Sequence, residues 1–361
     1  MRPTVEKAEK HLPPFVALAA VVSQHLTSPT RNGPARRRGA WSPFLLAVLG
    51  TLVVACGSTP TLKPATPSSL AATACAGEAK PGNSVVPVNS GGLQRTVLLH
   101  LPSGYTDRQK TALILNLHGS ESTAAAQEAF TGMDATSDQD GFIVAYPQAA
   151  IAEGTGFDWN VPGQPLLGGG SAPPSAPNDV GFLRQSIKTL EAGLCIDTTR
   201  VYVTGFSGGA RMASQLGCDL STVVAAIAPV SGLRFPSPCP ATRPVPVIAF
   251  HGTADPVDPY GGNGQAYWTY SVPTAAQRWA ASEGCSSEPA VAEPQAGLRL
   301  DTYAGCTAGT SVLLYTVVGE GHEWPGGPHL GRGYTAILGA QSNAINANNT
   351  MWQFFASHRL A

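Results

Sequence analysis

The chain has 361 residues, of which 43% are hydrophobic and only 12% charged, and its 22 Lys and Arg against 23 Asp and Glu leave a formal net charge of −1. That balance offers no basic face for nucleic acid, so no nucleic-acid partner is expected. No internal repeat with a period of about 20 to 50 residues is evident, which excludes a solenoid or propeller.

Residues 1–55 read as an export signal. Arg36, Arg37 and Arg38 form a basic n-region. The apolar stretch at 44–55 falls well short of the roughly 20 residues that a membrane-spanning helix needs. Val53, Val54, Ala55 and Cys56 match the lipobox of bacterial lipoproteins. Cys56 is therefore expected to become the lipidated first residue of the mature chain, with an ordinary cysteine beside a signal as the plainer alternative. Residues 1–34, with their own interrupted apolar run at 15–22, exceed a normal n-region and are read as an over-extended start that joins no fold. From Cys56 to about Ser69 the chain is rich in Ser, Thr, Pro and Ala, a composition that cannot bury a core. Residues 56–74 are accordingly expected to tether the rest, 75–361, at the outer face of the cytoplasmic membrane or after secretion. About 280 residues remain, which suits one large domain better than two.

Within 75–361, apolar runs suited to strands lie at 95–101, 112–117, 142–146, 201–204, 224–230, 245–250 and 312–318. Helical periodicity separates several of them. At 180–192, Phe182, Leu183, Ile187 and Leu190 share a face, with Asn178 or Asp179 as N-cap and Gly193 as stop. Further helices are expected at 273–283, which begins with proline, and at 344–358. Alternation of this kind builds a mostly parallel sheet with helices on both faces, the α/β class.

Gly205, Phe206, Ser207, Gly208 and Gly209 spell G-x-S-x-G directly after one such strand, and helix-forming residues follow. A serine hydroxyl becomes a usable nucleophile when a sharp strand-to-helix turn lifts it out, and glycines flank it because the turn is too tight for side chains. The partners follow in the order acid, then histidine. Asp255 leaves the strand at 245–250, and His322 lies in the loop after the strand at 312–318. All three leave the same edge of a parallel sheet, where ligands bind. Ser207 is expected to attack an ester carbonyl, with His322 as base and Asp255 as its orienting acid. The oxyanion donors are expected from the amides of Gly208 and Ser120, the latter in the loop His118-Gly119-Ser120 after the strand at 112–117.

The blocks LHGS, NDVGFLRQSI, RVYVTGFSGGARMA, AAIAPVSG, FHGTADPVDPYGG and GEGHEWPGG together resemble the LpqC-type branch of the poly(3-hydroxybutyrate) depolymerase and feruloyl esterase family, within carbohydrate esterase family 1. The likeness runs from about residue 95 to the end. It implies an α/β-hydrolase fold, an esterase using Ser207, Asp255 and His322, and no metal or organic cofactor. Family members hydrolyse esters of hydroxyalkanoates, of hydroxycinnamates on plant polysaccharide, or of small alcohols. One departure stands out: relatives commonly carry an apolar residue where this chain has Asp258, which is expected to cap the turn before Pro259.

Setting aside Cys56, the seven cysteines leave six, an even number behind an export signal. An oxidising compartment would allow three bridges among fifteen pairings. Nearness in the chain and the resemblance favour Cys285–Cys306 and Cys218–Cys239, leaving Cys75–Cys195. None shows the C-x-x-C spacing of a zinc site.

Two tryptophans adjoin the site in sequence. Trp159 precedes the Gly/Pro stretch at 161–177, which either walls the acyl pocket or forms a surface loop. Trp324 either floors the site or supports the histidine loop from within. His118 and His251 are expected to buttress strand ends. The functional expectation is a serine carboxylic ester hydrolase acting on small or oligomeric esters, since no polymer-binding module is visible. The alternatives are an acyltransferase on the same scaffold and a catalytically silent binding lipoprotein.

Overall fold

A computed structural model describes residues 75, 79–167, 169–329 and 332–361. The expectations placed on residues 1–74, Cys56 among them, lie outside the described residues. In chain order the elements are β1 (Gly82–Ser90), β2 (Leu93–Leu101), β3 (Thr111–Leu117), α1 (Ala124–Thr131), α2 (Met133–Asp140), β4 (Ile143–Pro147), β5 (Ile151–Glu153), β6 (Gly156–Asp158), α3 (Asp179–Gly193), β7 (Ile196–Phe206), α4 (Gly208–Asp219), β8 (Ala226–Val230) and β9 (Val247–Gly252). They continue with α5 (Val272–Ser282), β10 (Ala290–Gln295), β11 (Leu298–Tyr303), β12 (Val312–Val317), α6 (Arg332–Leu338) and α7 (Ala347–Ala356).

Ten strands form one sheet in the order β1-β2-β4-β3-β7-β8-β9-β12-β11-β10, and β5 and β6 pair separately. From β4 to β12 neighbours run parallel, while β1 and β2 on one flank and β11 and β10 on the other are antiparallel. Every residue of β3, β4, β8 and β9 is buried, as continuous apolar runs in a two-sided sheet require. One face is covered by α3, α4 and α5 through Phe182, Met212 and Trp279, the other by α1, α2 and α7 through Phe130, Met133 and Phe355. This order, with its antiparallel second strand and helices on both faces, is the α/β-hydrolase fold.

Several expected boundaries move. The central strand expected at 201–204 runs from Ile196 to Phe206, because Ile196 pairs with Thr111 across an irregularity at 197–200 and Gly205 still pairs with Leu117. The run at 224–230 becomes strand only from Ala226. The last helix starts at Ala347, capped by the Asn346 side chain, rather than at 344. Asn178 accepts from Gly181 N and is the N-cap of α3; Asp179 instead pairs with Arg95 in the interior. Gly193 ends that helix from inside it, with Leu194 as C-cap.

The glycine-turned hairpins at the two ends of the main sheet were not expected. β1 and β2 pair over their whole length around Gly91 and Gly92, both at positive φ, the two-residue turn that matches strand twist. A second joins β10 to β11 at the Gln295↔Leu298 pair. Disulfides join Cys75 to Cys195, Cys218 to Cys239 and Cys285 to Cys306, a set that fits an exported protein.

Candidate active site

The G-x-S-x-G segment forms the turn between β7 and α4. Ser207 has φ 52° and ψ −116°, a left-handed strain uncommon for a residue with a side chain. Its amide is held by Val230 O at 3.0 Å. Its side chain makes no capping bond to α4, so the hydroxyl is not engaged by the helix it precedes. The flanking glycines answer to contact: a Cβ on Gly209 would meet Leu117 O at 2.3 Å and His118 O at 2.5 Å, and one on Gly208 would meet Ser120 Oγ at 2.5 Å and Ser120 N at 3.0 Å. The loop after β3 is thus pressed against the start of α4. Gly208 is the first residue of that helix, where amides precede the intrahelical bonds. The two amides expected to act together are therefore neighbours.

His118 fixes that loop. Its Nδ1 lies 2.7 Å from Gly119 O, and its Nε2 accepts from Ala149 N at 3.1 Å. Burial lowers its pKa to about 4, so the ring is neutral. Trp159 is buried beside it and donates its indole N–H to His118 O at 2.7 Å. Trp324 is wholly buried and donates to Asn348 Oδ1 at 2.9 Å. For Trp324 this geometry matches the supporting reading; Trp159, expected as a candidate substrate contact, is engaged with the loop after β3.

Asp255 and His322 meet in the interior. His322 Nδ1 lies 2.7 Å from Asp255 Oδ2, both side chains fully shielded. Burial alone would raise the Asp255 pKa, but the His322 charge and hydrogen bonds from His251 and His322 hold the carboxyl well below the usual range. Burial pushes His322 down, yet the charge and hydrogen bond of Asp255 lift the imidazole above its ordinary value. His322 Nε2 has no hydrogen-bond partner. The imidazole ring lies 4.6 Å from the Phe206 ring, one residue before Ser207. The histidine loop is tied to the acid loop by Ala254 N to Glu320 O at 2.9 Å and to the segment after α6 by Gly321 N to Ala340 O at 2.8 Å.

The expected role of Asp258 is corrected. It does not cap the turn; Asp255 does, its Oδ1 accepting from Val257 N at 2.8 Å and Asp258 N at 2.7 Å. Asp255 leaves the strand first and takes both amides, so neither Asp258 carboxylate oxygen has a partner although the residue is buried. Burial raises its pKa.

Sequence reasoning missed three features here. His251 does more than buttress its strand, because its Nε2 donates to Asp258 O at 2.7 Å and stands 3.2 Å from Asp255 Oδ2. The i, i+4 spacing of His251 and Asp255 was the available signal. Glu320 and Glu323 flank the histidine loop as buried acids, raised by burial to about 8 and about 7. Arg211, four residues after Ser207, is buried and reaches Ser120 Oγ at 3.3 Å. Among the described residues no group of three or more His, Cys, Asp or Glu could hold a metal ion.

Similarity to known proteins agrees with this architecture. The chain is 31% identical over 239 residues to feruloyl esterase B of Piromyces equi, covering 63% of this chain and 42% of that protein. It thus spans less than half of that relative. It is 29% identical to the putative esterase NocK of Nocardia uniformis, covering 89% of this chain and 98% of that one. With poly(3-hydroxyalkanoate) depolymerase C of Paucimonas lemoignei it shares 27% identity over 74% of this chain and 67% of the other. Residues 96–262, which hold Ser207 and Asp255 and stop short of His322, match the family described as Esterase PHB depolymerase; this stretch includes the strained serine turn.

Proposed function

We propose that this protein is a serine carboxylic ester hydrolase that works through an acyl-enzyme. The observation that carries the reading is the buried imidazole of His322, bonded through Nδ1 to Asp255 Oδ2 at 2.7 Å and unpartnered at Nε2, beside the strained turn of Ser207. With the Nδ1 proton fixed by the carboxylate, the Nε2 lone pair is the basic atom. Ser207 attacks the ester carbonyl while His322 takes its proton, and the negative oxygen that forms is met by the amides of Gly208 and Ser120. His322 then protonates the departing alcohol, and water resolves the acyl-enzyme by the same route in reverse. Every step of this scheme is assigned to the chain's own residues.

The substrates are small or oligomeric esters, in keeping with relatives named for feruloyl and hydroxyalkanoate esters. Three disulfides agree with export; the further reading of Cys56 as a lipid anchor rests on the lipobox alone. The test is a panel of p-nitrophenyl esters of increasing acyl length together with methyl ferulate, run beside fluorophosphonate labelling. Hydrolysis with labelling at Ser207 is expected. No turnover and no labelled serine would overturn the reading.

A further inference from the structure

We propose that Arg211 makes this site selective for esters that carry a second, ionised carboxylate. The inference rests on the ester-hydrolase reading above and names its substrate class. Arg211 lies on the first turns of α4, where its amide donates to Ser207 O at 3.0 Å. Its Nη2 stands 3.3 Å from Ser120 Oγ, the hydroxyl that a Cβ on Gly208 would meet at 2.5 Å. The positive charge is therefore one hydroxyl group away from the two amides assigned to the oxyanion.

That charge is buried and under-compensated. Arg211 is 4% exposed, yet Nε and Nη1 have no hydrogen-bond partner. The Tyr267 ring lies 5.8 Å from its guanidinium carbon. The other buried arginines differ: Arg95 pairs with Asp179 and donates to Gln148 O at 2.7 Å, and Arg234 donates to Tyr270 O at 2.8 Å and lies 3.2 Å from the Trp268 ring centre. Each of those leaves one fully buried nitrogen unpartnered, whereas Arg211 leaves two. Asp158 and Asp258 are the acids whose charge reaches it, and neither forms an ion pair or hydrogen bond with it; both Asp258 carboxylate oxygens are themselves without a partner. A desolvated guanidinium with open donors matches a carboxylate through charge-assisted hydrogen bonds. Here such a carboxylate would sit beside the reacting ester.

The carboxylate belongs either to the acyl part, as in a half-ester of a dicarboxylic acid, or to the alcohol part, as in the free end of a hydroxy-acid oligomer. Two substrate pairs separate these: monoethyl against diethyl adipate, and a linear 3-hydroxybutyrate dimer with its terminal carboxyl free or methylated. With the full-length protein, kcat/KM is expected to favour the free acid by about 30-fold or more in at least one pair, chiefly through KM. Arg211→Met should abolish that ratio and Arg211→Lys retain part of it. Should the methionine variant fail to fold, competitive inhibition of the wild type by adipate but not by its dimethyl ester serves in its place. Equal rates within both pairs, or a preference that survives Arg211→Met, would refute the assignment of Arg211 while leaving the esterase intact. Absence of any ester turnover would bring down both.

Discussion

Around Ser207 the contacts are backbone against backbone, with Gly209 packed onto Leu117 O and His118 O and the Ser207 amide pinned by the next strand. Around His322 they are electrostatic, among shielded ionisable groups: Asp255, His251, Asp258, Glu320 and Glu323 all stand within its electrostatic reach or that of its partner. The serine is placed by shape and the histidine by charge. Shape is indifferent to pH and intolerant of a single added carbon, whereas a charged cluster accepts small changes in volume and responds to every proton.

Four substitutions press on that contrast. Ser207→Ala removes the proposed nucleophile, and kcat should fall by about a million-fold, the scale for triads acting as a unit, equally at every pH. Asp255→Asn keeps the volume but removes the charge that raises the His322 pKa. A loss of about 10,000-fold is expected, and the acidic limb of the pH profile of kcat/KM should move to lower pH, because more acid is then needed before the imidazole protonates. An unmoved limb would show that charge does not tune the base.

Gly209→Ala tests the steric side, since its Cβ would lie 2.3 Å from Leu117 O. Overpacking there should destabilise by about 3 kcal/mol, with the same loss at pH 5 and pH 8 in denaturant titrations. Glu320→Gln tests the electrostatic side in the opposite sense. A carboxyl whose folded pKa of about 8 lies above its unfolded value disfavours the native state progressively as pH rises between the two. The glutamine variant should therefore match wild type near pH 5 and melt higher at pH 8, by about 2–4 °C for each kcal/mol relieved.

The elbow was legible in sequence because a strand that turns into a helix this tightly leaves no room for a Cβ, and that steric demand shows as glycine on both sides of the serine. The strand ends that deliver Asp255 and His322 were legible for a similar reason: β9 is buried on both faces and β12 largely so, and each reads as an apolar run. The flanks were not. β10 is exposed at every residue and β1 mostly so, so neither shows the pattern a buried strand must have, although Gly91-Gly92 marked the first hairpin. Helices α1 and α2 escaped because the second, with Asp134, Ser137, Asp138 and Asp140 in eight residues, has almost no apolar face; its boundaries are set by the left-handed Gly132 and Gly141. The turn at Asp255 was misassigned because two aspartates three apart compete for the same amides, and only the backbone path decides which arrives first.

The bridge from Cys75 to Cys195 fixes where the chain enters the domain. Cys195 sits immediately before β7, and its carbonyl accepts from Thr111 N at the start of β3, so the entry point lies at the trailing edge of the parallel strands. Ser207 lies beyond the leading edge, where Gly205 pairs with Leu117 at the far end of β3, six residues or about 20 Å from Thr111 along that strand. The bridged start of the domain and the strained serine thus face opposite edges of the parallel strands.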